Sequence, residues 1–224
     1  MLDVIANRLA PHGLIVRGAF HPDPADDVPV LASGTSVGTV VLVGNAGSAM
    51  WRSFSREPRP MERHPLNEWI ESVMGVLVQD LGAEVCYPHH GPPFRPFLHW
   101  AQRAEPIARS PLGLFIHPRF GLWHAYRAAL LFSERLPVPL REPVAAPCEG
   151  CAAKPCLTAC PLAHLRGVVL HVVECATSDA GRTCREQGCA ARRACPIGVS
   201  YRYEPAHARF HMEAFLRGPA EQSI

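Results

Sequence analysis

The chain has 224 residues, a formal net charge of +2 and a hydrophobic content of 48%, which together predict a globular protein of one large or two small domains. So small a net charge gives no reason to expect a nucleic-acid partner. The first residues lack the basic start and long apolar run of a signal peptide, and no stretch predicts a membrane helix, so we expect a cytoplasmic protein without a membrane partner.

Helix and strand patterns alternate over the first 140 residues. Apolar residues at helical spacing predict helices at 2–9, near Met50, at 66–81 and at 95–105. Apolar and β-branched runs predict strands in GLIVRGAF, GTVVLVG, AEVCYP, LGLFIH and LWHAYRAALLF, with PRFG joining the last two. The alternation indicates helices layered on a central sheet.

A Pro-rich stretch separates this region from the rest of the chain. Residues 134–147, ERLPVPLREPVAAP, are typical of a linker, and a cysteine-rich segment follows at 148–196. The tail at 204–217 has a helical pattern. We therefore predict an α/β domain at 1–140, a cysteine module at 141–200, and a C-terminal helix and tail at 201–224.

Eight of the nine cysteines lie between 148 and 195, in two groups that each end in Cys-Pro. In a cytoplasmic chain such crowding indicates metal or cluster binding rather than disulfides. Bacterial ferredoxins build each [4Fe–4S] cluster from three cysteines of one run and the Cys-Pro cysteine of the other. That exchange predicts two clusters, one held by Cys148, Cys151, Cys156 and Cys195 and the other by Cys160, Cys175, Cys184 and Cys189.

The cysteine spacing departs from the ferredoxin pattern, so other interpretations stay open. Two extra residues within AAKP, at 152–155, separate the second and third cysteines. Structural zinc also takes four thiolates, and a redox or disulfide role is a third interpretation. Zinc binding explains the two Cys-Pro sequences, and the eight cysteines in so short a segment, less well than two [4Fe–4S] clusters do. Cys86 follows a predicted strand and is expected to be a buried thiol.

Other motifs have both a functional and a structural interpretation. The loop at 117–121 follows an apolar strand, a position where ligands often bind. The guanidinium of Arg119 can bind an anion there, or it can simply face solvent. Residues 44–47 favour an ordinary turn over a phosphate loop. Histidines at 89–90 and at 207 and 211 can bind metals, but adjacent side chains point apart and no glutamate follows the histidine at 207. No residue is predicted to be catalytic.

The segment SPLGLFIHPRFGLWHAYRAALLF resembles the corresponding region of the cobalamin-processing CblC family, which carries an IHPRFGGW stretch. A weaker similarity covers IANRLAPHGLIV and GTVVLVGNAGSAMWRSF. The resemblance implies a nitroreductase-like fold for 1–140 with cobalamin against the sheet, and it gives Arg119 an anion-binding role. The residues that it makes candidates to line the corrinoid or thiol-cosubstrate pocket are His117, Pro118, Arg119, Phe120, Gly121 and Trp123.

The order of the two parts resembles epoxyqueuosine reductases and reductive dehalogenases, in which a cobalamin-binding α/β domain precedes a ferredoxin module with two [4Fe–4S] clusters. That module has a lone cysteine between two Cys-Pro runs, as Cys175 is here. CblC proteins lack these cysteines. The combination implies an α+β fold: a CblC-type, nitroreductase-like α/β sandwich with a small C-terminal dicluster ferredoxin-like module.

These features predict a cytoplasmic iron–sulfur oxidoreductase in which two [4Fe–4S] clusters pass electrons to a cobalamin or related acceptor in the N-terminal domain. The expected partners are a reduced ferredoxin, flavodoxin or similar electron donor, and a corrinoid or small-molecule substrate. A ferredoxin-like carrier without turnover of its own and a structural zinc protein are the alternatives. The near-neutral charge and the short chain disfavour tRNA modification, which the likeness to epoxyqueuosine reductases suggests.

Overall fold

A computed structural model describes residues 1–57, 64–140, 143–163 and 172–221. Its strands are β1 (Ile15–Phe20), β2 (Thr39–Ala46), β3 (Glu84–Cys86), β4 (Ala108–Arg109), β5 (Phe115–Ile116) and β6 (His124–Phe132). Its helices are α1 (Leu2–Leu9), α2 (Ala49–Phe54), α3 (Pro65–Val78), α4 (Phe97–Ala104), α5 (Val172–Thr177), α6 (Arg182–Gln187), α7 (Ala190–Arg193) and α8 (Pro205–Glu221). The chain forms two compact units: the first unit is Met1–Pro106 with His124–Val144, and the second unit is Ile107–Trp123 with Ala145–Ile224.

The first unit is built on a four-stranded antiparallel sheet in the order β1-β2-β6-β3. The β2 strand pairs with β1 on one side and β6 on the other, and its residues 39–45 are all buried. Burial on both faces explains why GTVVLVG is apolar without alternation. Helices α1 and α4 pack on β1, and α3 packs on β3 and β6. The fold is therefore mixed α+β, as the sequence predicts.

The most regular helix pattern in the sequence is confirmed as α3, which spans Pro65–Val78. Its apolar face is buried, and each fully buried large side chain contributes about 1.5–3 kcal/mol to folding. Pro65 lies in the first turn, where its missing N–H would have no helical partner. The helix ends before the predicted limit of 81, and the chain turns at Gly82, whose φ is +63°.

One local expectation differs from the structure. Residues 44–46, predicted to begin a turn, continue β2 because they pair with residues 124–126 of β6. The strands predicted on either side of PRFG both form, as β5 and β6. They belong to different sheets: β5 pairs with β4 in a two-stranded sheet, whereas β6 lies in the four-stranded sheet.

In the described residues of the second unit, the regular elements are the two short strands β4 and β5 and the helices α5 to α8. Helix α8 confirms the predicted terminal helix and packs on α5 and α6. One cluster of buried residues contains Ile116, Leu122 and Cys195. Another contains Trp123, Tyr203 and Ala208. Both apolar clusters are small, and two cysteines of this unit, Cys156 and Cys195, are buried as well.

The compact units divide the chain differently from the predicted regions. Residues 107–123 and the tail from 201 belong to the second unit, together with the cysteine segment. The start of the predicted linker packs into the first unit, since Leu136 is buried and its N–H donates to Thr39 Oγ1 at 2.8 Å. The three predicted domains stay a prediction, because compact units need not coincide with domains.

Each helix in the described part of the chain is too short or too polar to cross a lipid bilayer.

Candidate functional site

Four cysteines, here called the first quartet, come together in the second unit and line one cavity of ≈ 20 Å³. The first quartet consists of Cys148, Cys151, Cys156 and Cys195. Burial raises the pKa of the Cys148 thiol, and the neighbouring Cys195 and Cys156 raise it further. The pKa of Cys156 is raised in the same way. Each thiol of the quartet therefore disfavours the ionised form of its neighbours, and a positively charged metal would relieve that repulsion.

The other four cysteines, here called the second quartet, line a larger cavity of ≈ 260 Å³. The second quartet consists of Cys160, Cys175, Cys184 and Cys189. Burial raises the pKa of Cys175, and Cys160 and Cys189 add to the effect. Burial also raises the pKa of Cys184, while the backbone N–H of Ala190, 3.4 Å from its Sγ, opposes that rise. An N–H···S bond of this kind tunes the potential of a thiolate-bound cluster.

The chain passes between the two quartets twice. Cys156 lies within a 3-10 turn at Pro155–Leu157, shortly before Cys160, and Cys189 and Cys195 are separated by α7. Helix α7 packs on that turn. Four residues span at most about 14 Å, so the quartets are near neighbours. Each quartet has the same members as one of the predicted ligand sets, while cluster binding itself stays a prediction.

The AAKP insertion is absorbed by a local loop. Lys154 has a φ of 38°, in the left-handed region, and Pro155 then begins the 3-10 turn. The Leu157 N–H donates to the Lys154 carbonyl at 3.0 Å. Ala152 and Ala153 are exposed, whereas Cys156 is buried at the cavity of the first quartet. The two extra residues therefore bulge outward and leave the third cysteine beside the first two.

The IHPRFG stretch forms a tight turn in the second unit. The His117 and Gly121 backbones exchange two hydrogen bonds of 2.9 Å, and Nδ1 of His117 accepts the Arg119 N–H at 3.0 Å. Gly121 has a φ of +60°, and a Cβ there would lie 2.0 Å from the Ile197 carbonyl oxygen. Only glycine fits such a position without strain. The turn therefore packs directly on the residues that follow Cys195.

The side chains of this turn make contacts within the second unit. Arg119 Nε donates to the Tyr201 hydroxyl at 2.8 Å. The Phe120 ring stacks on His117 at 4.4 Å and meets Tyr201 edge-on at 5.0 Å. The resemblance assigns these residues to a corrinoid or cosubstrate pocket, and that role stays a prediction.

Two arginines lie beside the second quartet. The guanidinium of Arg192 lies 4.7 Å from the ring centroids of both Trp123 and Tyr203, and it donates to the Leu122 carbonyl. Arg185 donates to the Cys175 carbonyl at 2.8 Å. Nearby arginines favour the negatively charged form of thiolate ligands. Trp123 and Arg192 both line the cavity of the second quartet.

The two histidines of α8 lie side by side. Their Nε2 atoms are 3.1 Å apart, and His207 is buried beneath the Tyr203 ring at 3.8 Å. His211 lines the cavity of the second quartet. The spacing of four residues noted in the sequence therefore places an imidazole pair beside that cavity.

A buried polar network in the first unit is not evident from the sequence. Arg17 is fully buried, and its Nε and Nη2 donate to the Glu105 carboxylate at 2.9 and 2.6 Å. Tyr126 donates to the same carboxylate at 2.7 Å. The one sequence signal is an arginine within an apolar strand, because such a charge must be paired. Its partner is 88 residues away and could not be named in advance.

Comparison with known proteins shows likeness of fold. No family model matches the chain, and no curated protein matches it. The structure of the B12-trafficking protein CblC of C. elegans has a TM-score of 0.54 and 14% identity, over 94% of this chain and 89% of that one. A selenomethionine-labelled epoxyqueuosine reductase has a TM-score of 0.50 and 13% identity, over 92% of this chain and 68% of that one. The predicted likeness to both proteins is thus confirmed for the fold.

Proposed function

We propose that the two quartets each hold a [4Fe–4S] cluster and that the chain is an iron–sulfur redox protein. The observation that carries this proposal is the sorting of eight cysteines into two sets of four. Each Cys-Pro cysteine joins the set of the opposite run, as the thiolates of two-cluster ferredoxins do. A fold shared with an epoxyqueuosine reductase and with CblC is compatible with such a role.

The spread of the sulfur atoms favours a multi-atom cluster over zinc. Four thiolates around one zinc ion lie about 3.8 Å apart, since each Zn–S bond is about 2.3 Å and the geometry is tetrahedral. Within the described residues, one group of possible ligand atoms lies within 4.8 Å of one another, close enough to share a single ion. That group is Glu71, His89 and His90, and it contains no cysteine. Neither quartet is that compact, although both surround a cavity.

Residues of the second unit supply what such clusters need. The eight thiolates would hold them, and each cluster would take up and release one electron at a time. The Ala190 N–H and the Arg192 guanidinium adjust the charge around the second quartet. Ile116, Leu122 and Ile197 pack beside Cys148 and Cys195 and limit the access of water to the first quartet.

The acceptor that we propose is a cobalamin or a related molecule, with a reduced ferredoxin, flavodoxin or similar protein as donor. The likeness of the fold to that of a B12-trafficking protein supports it. The nominated pocket residues fit the acceptor less well than the cysteines fit the clusters. Phe120 and Trp123 are buried, Gly121 is closed off by Ile197, and Arg119 is the exposed one.

Metal and sulfide analysis tests the clusters directly. The chain is purified without oxygen, and iron, acid-labile sulfide and zinc are measured per chain. Two [4Fe–4S] clusters require about eight iron atoms and about eight sulfides. A colourless protein with about two zinc ions and no sulfide would overturn the proposal.

A second candidate function is a ferredoxin-like carrier without its own turnover. It is favoured by the packing of the IHPRFG turn against the segment after Cys195, which uses the nominated pocket residues for internal contacts. Titrating the reduced, cluster-loaded protein with cobalamin separates the two functions. Binding with oxidation of the clusters supports the cobalamin acceptor, whereas no binding favours the carrier.

A further inference from the structure

Three side chains of the first unit bring metal-binding atoms together outside the cysteine segment. They are Glu71 on α3 and His89 and His90, which follow β3. Nε2 of His89 lies 2.6 Å from Oε1 of Glu71, and Nε2 of His90 lies 3.0 Å from the same oxygen. The three ligand atoms all lie within 4.8 Å of one another.

A turn after β3 explains how two adjacent histidines reach one carboxylate. Neighbouring side chains of an extended chain point to opposite sides, which is why the sequence alone favours no shared site. In the structure the His90 N–H donates to the Tyr87 carbonyl at 3.3 Å and closes a turn. The buried Tyr87 ring lies 5.5 Å from the His89 ring and 4.9 Å from the His90 ring. Both imidazoles therefore face Glu71, and both contact the Tyr87 ring.

The charges at this place also suit a cation. The Glu71 carboxylate carries a negative charge at neutral pH, since an ordinary glutamate ionises well below pH 7. One anion and two imidazoles thus face a common point.

We propose that Glu71, His89 and His90 form a binding site for a zinc-class divalent cation. Zinc bonds to imidazole nitrogen and carboxylate oxygen are about 2.0–2.2 Å long. Tetrahedral ligands at that length lie about 3.4 Å from one another. The 2.6 and 3.0 Å separations from Glu71 need only small side-chain movements to reach this value. Each imidazole would bind through Nε2 as its Nδ1–H tautomer.

The ligand set selects the class of ion. Two imidazoles and one carboxylate suit zinc and neighbouring first-row ions, whereas Mg²⁺ and Ca²⁺ prefer oxygen ligands alone. Three protein ligands leave at least one position for water, the arrangement found in catalytic rather than structural zinc sites. The His90 side chain is 57% exposed, so the open position can reach solvent.

The test is titration of Zn²⁺ into the cluster-loaded full chain, after treatment with a mild chelator. Isothermal titration calorimetry of the unaltered protein should show one bound Zn²⁺ per chain. Glu71→Gln and His90→Gln should each weaken binding at least about tenfold, because each removes one of three ligands. His99→Gln is the matched control, since His99 pairs with Asp26 elsewhere in the first unit and should bind Zn²⁺ normally.

Zinc X-ray absorption identifies the ligand atoms. Nitrogen and oxygen neighbours alone, together with the loss of binding in both variants, would support the site. Sulfur neighbours, absence of binding to the unaltered protein, or unchanged binding in the Glu71→Gln variant would overturn it. Because His90 is exposed, its variant should fold even if substitution of Glu71 disturbs α3, and circular dichroism of both variants checks this.

Discussion

In the first unit, Val40, Val41, Leu42 and Val43 of β2 are fully buried, and Trp69 and Trp100 are buried in the helices beside the sheet. In the second unit, the described apolar clusters contain three buried residues each, and the two cysteine quartets line its cavities. A region with so little apolar burial usually needs metal or another crosslink to be stable. We therefore expect the first unit to hold its structure by itself and the second to depend on the metal that we propose it binds.

Substituting single cysteines should have the largest effect, because it removes a whole cluster. Cys148→Ala and Cys195→Ala should each lose the cluster of the first quartet and keep that of the second. Cys160→Ala should lose the cluster of the second quartet and keep that of the first. Each variant should bind about half of the iron of the unaltered chain. Electron paramagnetic resonance of the reduced proteins identifies which signal remains.

Cys86→Ala serves as the control for this set, since Cys86 lies on β3 in the first unit. It should keep all of the iron. If Cys148→Ala and Cys195→Ala lost different signals, the assignment of Cys195 to the first quartet would be wrong.

Removing iron and sulfide should open the second unit selectively. Hydrogen exchange followed by mass spectrometry should show amide protection in 172–221 falling by at least about tenfold after cluster removal, because the metal contribution to folding is lost. Protection of 39–46 in β2 should stay unchanged, since that strand is buried between β1 and β6. Equal loss of protection in both segments would contradict the expectation that the second unit depends on metal and the first does not.

A substitution of Glu105 should weaken the first unit alone. Glu105→Gln removes the charge that faces the fully buried Arg17, and breaking a buried pair in this way costs about 3–5 kcal/mol. Urea unfolding followed by tryptophan fluorescence measures the change. Asp80→Asn removes an exposed partner of Arg8 at 3.4 Å and should cost less than about 1 kcal/mol. An equally small loss in both variants would show that the buried network is not stabilising, and iron content should be normal in both.

The last predicted effect concerns Gly121 and is the most local. Gly121→Ala places a Cβ against the Ile197 carbonyl, and the φ of +60° alone adds backbone strain of about 1–3 kcal/mol to that clash. The change should reduce the iron of the first quartet before that of the second, since Ile197 follows Cys195. Gly150→Ala, with open space around it, is the control. If both variants kept full iron, the IHPRFG turn would not support the first quartet.

Patterns within single elements were sufficient to predict most of the first unit. The buried run of β2 and the apolar face of α3 could be predicted, because the hydrophobic periodicity of a helix or strand lies within one short stretch of sequence. The two cysteine sets were predictable for a different reason, since the Cys-Pro exchange is a rule about ligands rather than about the backbone.

Contacts between distant segments were not predictable. The packing of Gly121 on Ile197, which brings residues 107–123 into the second unit, depends on two segments that no local pattern connects. The convergence of His89 and His90 on Glu71 depends on one turn and on the register of α3 beside it. A sequence shows which residues could bind a metal, but the turn decides which of them meet.

Mössbauer spectroscopy of the chain loaded with ⁵⁷Fe tests the central claim most directly, because it distinguishes cubane iron from single iron ions held by four thiolates. All of the iron should appear as [4Fe–4S] clusters, in about twice the amount found in the Cys195→Ala variant. A spectrum of isolated iron–thiolate sites, or a chain that binds zinc in preference to iron, would contradict the proposal that the two quartets are cluster sites.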